Sequence, residues 1–584
     1  MAIQRTSGPG ETMGVDELRA GMRGVGYTVI RGTEPEEFGV EILGVLKDTM
    51  PKQDIVVARL SGLGLEESGV AAGMSGSPVF IDGKLIGAVS YRLGAFQKEP
   101  IAGITPIENM LRIADTEAQR NATAAAIVSG DDLLAATANL LAGRAADQGL
   151  LRPAMGAGGI VPIATPVTIG GVPAGLVTRL GPLFEALGWH AALGGTSSSP
   201  QANAPLRSGS TVAAQLMRGD ITFAASGTVT YVDGDQLLAF GHPFLQGGKV
   251  DFPMVGGEVL LVLDSLSASE KLTAAGGEVI GAIRQDLQPG ILGIVGAQPQ
   301  TIPVKIGVED GGGGESEQFN FEMITDKTLS PTFLFIGLAS GLQSIGKMFG
   351  DSTFEVEGEF FLDQDLGSIK IRNLFSSPSQ AYVPLSQMIT SIYAFLYDNA
   401  FRSVGVDEID LRIRVREDRK VAQISRVWSD RLEVRAGEKV DLAVWLKPYR
   451  AKEVVQHFTV EIPSDTPPGP LTLLIGDAAA VSREEQGFIQ GEFAPQSLAH
   501  LVRLLNNIRA NDSIYVQMSR PAEGAFFGGE PMPSLPISML KVLSAQQTSG
   551  EIVRLEKTVM LEENYPVEYV VSGEHRLQLT VRRP

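Results

Sequence analysis

Acyl transfer by a hydroxyl needs a serine held on a tight turn, with backbone N–H groups aimed at the oxyanion that develops on the attacked carbonyl. The run Gly73-Met74-Ser75-Gly76-Ser77-Pro78 has the residue types for this. Gly73 permits a backbone conformation that a Cβ would obstruct, so its N–H and that of Ser75 can converge as an oxyanion hole. Pro78 fixes φ where the chain enters the next strand. The run is not a Gly-x-Ser-x-Gly elbow, because Ser77 occupies the second glycine position. Read purely as structure, the same six residues are a glycine/serine turn between strands.

A serine nucleophile needs a base, and the chain has five histidines. His457 faces away from Phe458, Val460 and Ile462, His500 lies off the apolar stripe of its helix, and His575 alternates into a terminal strand. His190 follows Trp189 in a glycine-rich loop. His242 stands in Phe240-Gly241-His242-Pro243-Phe244, where flanking glycine and proline hold it at a strand-to-loop corner suited to a general base. The bland reading of His242 is a core histidine capping a turn. For a third member Asp286 is favoured, in the strand-like run Ile280–Asp286. A carboxylate there can accept the imidazole Nδ1–H and hold the tautomer that takes the Ser75 proton. Asp251, Asp264 and a serine–histidine dyad remain the alternatives.

The elements that must carry these residues read as short strands. Tyr27–Arg31, Phe38–Lys47 and Asp54–Arg59 are rich in Val and Ile. Val79–Ser90 is a hairpin turning on Asp82-Gly83. A second β-rich block follows residue 205, with the hairpin Gly227–Phe240 turning on Asp233-Gly234, and strands Thr301–Val308 and Gln318–Met323 around the Gly311–Gly314 loop. Between the blocks, Ala124–Ala146 has helical spacing, and Gly195–Pro205 reads as a flexible linker. Ser330–Gly346 reads as a buried helix, too interrupted to span a membrane. Thr353–Leu362 and Ile409–Arg416 alternate as half-buried strands around a helix near Ser386–Ala400. Leu498, Leu501, Val502, Leu505 and Ile508 mark one face of an amphipathic helix.

The expected division is 1–115 for a nucleophile-bearing barrel half, 116–204 for a connector and 205–325 for a histidine-bearing half. A helix plus β-sandwich follows over 326–485, and an α+β region over 486–584. At 584 residues several domains are expected. A net charge of −19 argues against a nucleic-acid or anionic-membrane partner. With no cysteine, disulfides, thiolate nucleophiles and zinc–thiolate sites are excluded. The acidic pairs Glu309-Asp310 and Asp363–Asp365 lack a completing ligand set, and neither Gly24-Val25-Gly26 nor Gly62-Leu63-Gly64 has dinucleotide-site spacing. No cofactor and no metal are expected. The first ten residues show no apolar h-region, so no signal peptide is expected in them.

The Gly73–Pro78 run with its hairpin, and the Gly227-Thr228-Val229-Thr230…Phe240-Gly241-His242 run, resemble the sporulation stage IV B (SpoIVB-type) serine peptidases over roughly 15–115 and 205–300. The resemblance implies a mainly β, chymotrypsin-like fold of two β-barrel halves, and limited endoproteolysis, including self-cleavage, outside the cytoplasmic membrane. It implies a protein or peptide substrate, Ser75 as nucleophile and His242 as base, and a substrate-pairing edge at Ser90, Tyr91 and Arg92. Here the serine block precedes the histidine block, so the halves are expected in permuted order. No acidic residue occurs in Ser61–Leu65, where those enzymes carry one. The competing reading is a non-catalytic envelope or scaffold protein that keeps the fold and binds a partner through its C-terminal β-sandwich. A third is a peptidase that cleaves only itself.

Overall fold

The computed structural model describes residues 11–50, 53–94, 99–114, 159–197, 204–265, 269–312, 316–345, 349–363, 365–488, 495, 497–527, 530–532 and 553–583. The helical reading of Ala124–Ala146 lies outside these residues. Among the described residues strands hold 55% and helices 16%, so the described structure is mainly β. It divides into two compact units, 1–305 with 319–344, and 306–318 with 345–584.

In the first unit, β1 (Arg23–Thr28), β2 (Glu36–Met50), β3 (Gln53–Ser61), β4 (Pro78–Ile81), β5 (Lys84–Leu93) and β6 (Ile101–Pro106) pair in the order β4-β1-β2-β3-β6-β5, and β5 returns to β4. The ring is a closed six-stranded barrel, which leaves no edge within it. Its interior is filled by Phe38, Val40, Ile42, Val56, Ala58, Val79, Ile81 and Ile104, among others, with Met74 of the serine turn in the same cluster. Tyr27–Arg31 reads as a strand, but β1 begins earlier and ends at Thr28. The cause is two glycines that weaken the strand signal while being needed for it. A Cβ on Gly24 would lie 2.0 Å from the Phe80 carbonyl oxygen, and one on Gly26 2.2 Å from the Phe38 ring. Asp82 and Gly83 have φ of +49° and +75°, the twist of a two-residue primed turn.

A short strand β7 (Ile160–Pro162) adds to β5. Then come β8 (Thr165–Gly170), the helix Ala174–Ala186 and β9 (Trp189–Leu193). Strands β10 (Thr211–Gly219), β11 (Thr222–Asp233), β12 (Gln236–Ala239), β13 (Gly248–Leu263), β14 (Glu270–Leu287) and β15 (Gly290–Val295) close a second circuit, β10-β13-β14-β15-β12-β11, completed by β11 on β10. Asp233 pairs with Gln236, so the β11–β12 loop is Gly234-Asp235, one residue later than the Asp-Gly pair expected. The helix Ile107–Ala114 buries Ile107, Met110 and Ile113 against Leu85 and Ala88 of the barrel and Leu238 and Leu292 of the second circuit. The start of the expected linker is held, since the Ser197 N–H donates to Ala275 O. The Ser330–Ile345 helix is apolar and buried, as its composition requires.

In the second unit, Phe349–Leu362 pairs antiparallel with Ser368–Ser379 and Val406–Arg416, and the helix Tyr382–Tyr397 follows. A four-stranded and a six-stranded sheet share one core, with Ile424, Leu442 and Val444 from one and Leu471, Val516 and Leu579 from the other. The strands Ser513–Phe527, Val553–Pro566 and Glu574–Val581 belong to the larger sheet, so the sandwich is built from residues as far as 581.

Candidate active site

The turn between Ala72 and Pro78 is shaped by two left-handed glycines, Gly73 (φ +90°) and Gly76 (φ +92°). At Gly76 there is no room for a side chain either, since a Cβ would sit 1.9 Å from Thr228 O and 2.5 Å from Phe240 N. Ser75 is fully buried, and its Oγ has no hydrogen-bond partner. Within the turn the N–H groups of Met74, Gly76 and Ser77 donate to Ala71, Val89 and Met74 carbonyls. Among the described residues the N–H groups of Gly73 and Ser75 have no such acceptor. These are the two donors expected of the oxyanion hole. Buried backbone donors are nearly always paired, so two unpaired ones beside an unpaired hydroxyl set this turn apart from an ordinary buried turn.

Strand β11 carries the turn. Thr228 N–H donates to Ser75 O at 2.8 Å, Thr228 Oγ1 to Gly73 O at 2.9 Å and Thr230 Oγ1 to Gly76 O at 2.8 Å. The same hairpin leads through β12 to Phe240 and Gly241, both left-handed (φ +69° and +68°). For Phe240 that conformation is strained. Gly241 packs where a Cβ would lie 2.2 Å from Ser90 Oγ, and its carbonyl accepts from Thr105 Oγ1 at 2.6 Å. The structure thus brings the serine turn and the corner before His242 into one packed region, joined through β11 and β5.

His242 is 2% exposed. Its Nδ1 lies 2.8 Å from Pro243 O. A carbonyl only accepts, so Nδ1 carries the proton and Nε2 presents its lone pair. Nε2 is buried without a partner, and no hydrogen bond joins it to Ser75 in the resting chain. Burial pushes the imidazole down to about 4, opposed by the Pro243 contact, so the ring is neutral at pH 7.

The Asp286 carboxylate is bonded to backbone N–H groups, and the His242 Nδ1 expected as its partner is bonded elsewhere. Asp286 Oδ1 accepts from Phe244 N–H at 2.7 Å, and Oδ2 from Leu245 N–H at 2.7 Å and Gly247 N–H at 3.1 Å. The Pro243 carbonyl, one residue away, takes the Nδ1–H instead, and Asp286 holds the loop that follows His242. Burial raises its carboxyl to about 6, with the backbone donors holding it from going higher. Asp251 is paired with Arg284 at 2.5 Å, and Asp264 is exposed. His190 Nδ1 lies 2.6 Å from Glu270 Oε2, which raises the imidazole's pKa. In the second unit, His457 is exposed and His500 and His575 are half-exposed.

The edge expected to be open at Ser90–Arg92 is closed by the chain itself. Tyr91 and Arg92 pair with Pro162 and Val161 of β7, and Ile163 N–H donates to Ser90 O at 3.0 Å. On the other side Tyr91 and Arg92 pair with Gly103 and Ala102 of β6. Tyr91 is buried enough that its phenol is pushed up to about 12.

Residues 13–111 match the SpoIVB peptidase S55 family. The S55 segment spans the closed barrel and Ser75, and stops before His242. No characterised protein and no solved structure matched the chain. An S55 region is that of a peptidase, a hydrolase whose substrate is protein or peptide. Among the described residues no helix is long and apolar enough to cross a membrane, and no three metal-ligating side chains cluster.

Two groups in this region carry no signal as chemistry in the sequence. Thr28 and Lys271 are both buried, with Lys271 Nζ donating to Thr28 Oγ1 at 2.6 Å. In Glu270-Lys271-Leu272-Thr273 the hydropathy puts lysine on the wet face, yet Lys271 and Thr273 are the buried pair.

Proposed function

We propose that the chain is a serine endopeptidase in which Ser75 is acylated and His242 Nε2 accepts its proton. Acyl transfer proceeds by attack of Oγ on the scissile carbonyl, with the Gly73 and Ser75 N–H groups receiving the oxyanion. The proton then returns to the leaving amine, and water releases the acyl group. The observation that carries this reading is the pair of unpartnered N–H groups beside the unpartnered Ser75 hydroxyl. Asp286 serves by anchoring the 244–247 backbone. The two strand circuits are then chymotrypsin-like halves in permuted order, and the C-terminal sandwich a partner-binding module, outside the cytoplasm as the family resemblance implies.

The peptide lying along β5 is the chain's own Ile160–Ile163, so limited self-cleavage in this segment belongs to the proposal. A fluorophosphonate probe tests the core of it. Wild type is expected to label and Ser75→Ala to stay folded and unlabelled, with intact mass showing any cut near residues 160–165 in wild type only. Equal labelling of both proteins removes Ser75 as nucleophile, and labelling of neither leaves the scaffold reading in front.

A further inference from the structure

We infer that Lys271 is a second proton acceptor of the Ser75 site, an amine seated against the nucleophile turn and acting beside His242. The inference rests on Ser75 being the nucleophile. Strand β14 is tied to the chain that enters the turn, since Ala72 N–H donates to Ser269 O at 2.8 Å and Lys271 N–H to Ala72 O at 3.0 Å. The lysine stem runs past Gly73, where a Cβ would lie 3.2 Å from both Lys271 Cβ and Cδ. Its Nζ reaches Thr28 Oγ1 at 2.6 Å. The Thr28 and Ser77 hydroxyls are 2.9 Å apart, and Ser77 Oγ donates to Met74 O at 2.6 Å. The amine is thereby linked, through two hydroxyls, to the residues on both sides of Ser75.

The groups around it are neutral. β1 offers Thr28, the turn contains no charged residue, β13 places Val262 opposite, and β8 contributes Pro166 beside Gly73. Glu270, next along its own strand, is engaged with His190. Lys271 is 2% exposed, and no carboxylate pairs with it among the described residues. Burial alone pushes the amine down to about 7. His242, at about 4, holds a proton about a thousandfold less tightly. General-base catalysis is most effective when the base titrates near the working pH, which favours the amine.

In the step itself the Ser75 Oγ–H bond breaks and an Nζ–H bond forms. The Oγ electron pair bonds the scissile carbon, and the carbonyl π pair moves to oxygen. The ammonium later gives its proton to the leaving amine. For this the flexible lysine exchanges its bond to Thr28 for one to Ser75.

The test is the pH dependence of fluorophosphonate labelling in wild type, Lys271→Met and His242→Gln. Expected is a wild-type rate that falls about tenfold per pH unit below about 7, and a Lys271→Met rate at least about 100-fold lower with no limb near 7. A wild-type limb near 4, or a Lys271→Met protein with wild-type rate and profile, overturns the inference. A readout independent of turnover uses the Ser75→Ala protein with ¹³Cε-labelled lysine, the Lys271 signal being the one lost in Lys271→Met. Titration near 7 supports the role, and titration near the ordinary lysine value refutes it. Labelling of Ser75→Ala at the wild-type rate would instead sink the serine reading while leaving this titration intact.

Discussion

Lys271 makes a quantitative prediction about stability that does not depend on activity. The amine's pKa falls from 10.5 to about 7 on folding. Between those values the unfolded chain binds a proton that the native chain refuses, so stability rises with pH, by about 1.4 kcal/mol per unit. Below 7 both states are protonated and the slope vanishes. The burial penalty is therefore about 4 kcal/mol at about pH 7.5 and about 1–2 kcal/mol at about pH 9.5, a difference of about 2–3 kcal/mol. Lys271→Met keeps an unbranched stem as far as Cε, lacks the terminal amine and removes the titration. It forfeits the Thr28 hydrogen bond, worth about 1 kcal/mol, so the variant is expected to be the more stable protein at about pH 7.5. Trp189 is the reporter, because it is buried in the same unit and stacked on Phe244 at 5.4 Å. The assay is denaturant unfolding followed by its fluorescence, in a background with Trp428 and Trp445 replaced by phenylalanine. Wild type should gain about 2–3 kcal/mol more than Lys271→Met over that pH interval. Parallel pH dependence in the two proteins would falsify the assignment of a buried, neutral amine.

Gly76→Ala should lose labelling and more than about 3 kcal/mol of stability, because the new methyl meets the Thr228 carbonyl and the residue keeps a left-handed φ; a normal melting curve would show that the turn has room. Asp286→Asn sets an amide N–H against at least one of the Phe244, Leu245 and Gly247 donors. It should slow labelling by about tenfold or more and alter Trp189 emission through Phe244. Unchanged rate and emission would remove Asp286 as the anchor of the loop.

The parts of this molecule legible in its sequence are those encoded by local backbone preference. Gly73, Gly76 and Pro78 mark a serine turn, Asp82-Gly83 a primed hairpin, and Gly241-Pro243 a corner at His242, because glycine and proline act on φ whatever surrounds them. Strand readings held where β-branched residues dominate and slipped at Gly24 and Gly26, whose purpose is a close approach visible only once Phe38 and Phe80 are in place. Three features of the site were decided by tertiary structure alone. The Ser90–Arg92 edge is taken by Ile160–Ile163, a pairing about seventy residues away along the chain that no local pattern announces. Asp286 meets backbone N–H groups and not an imidazole, because a one-residue contact to Pro243 satisfies the ring first. Lys271 reads as a solvated lysine and is a buried amine, since desolvation is a sum over everything the fold packs around a group. Its own strand neighbours suggest the opposite face.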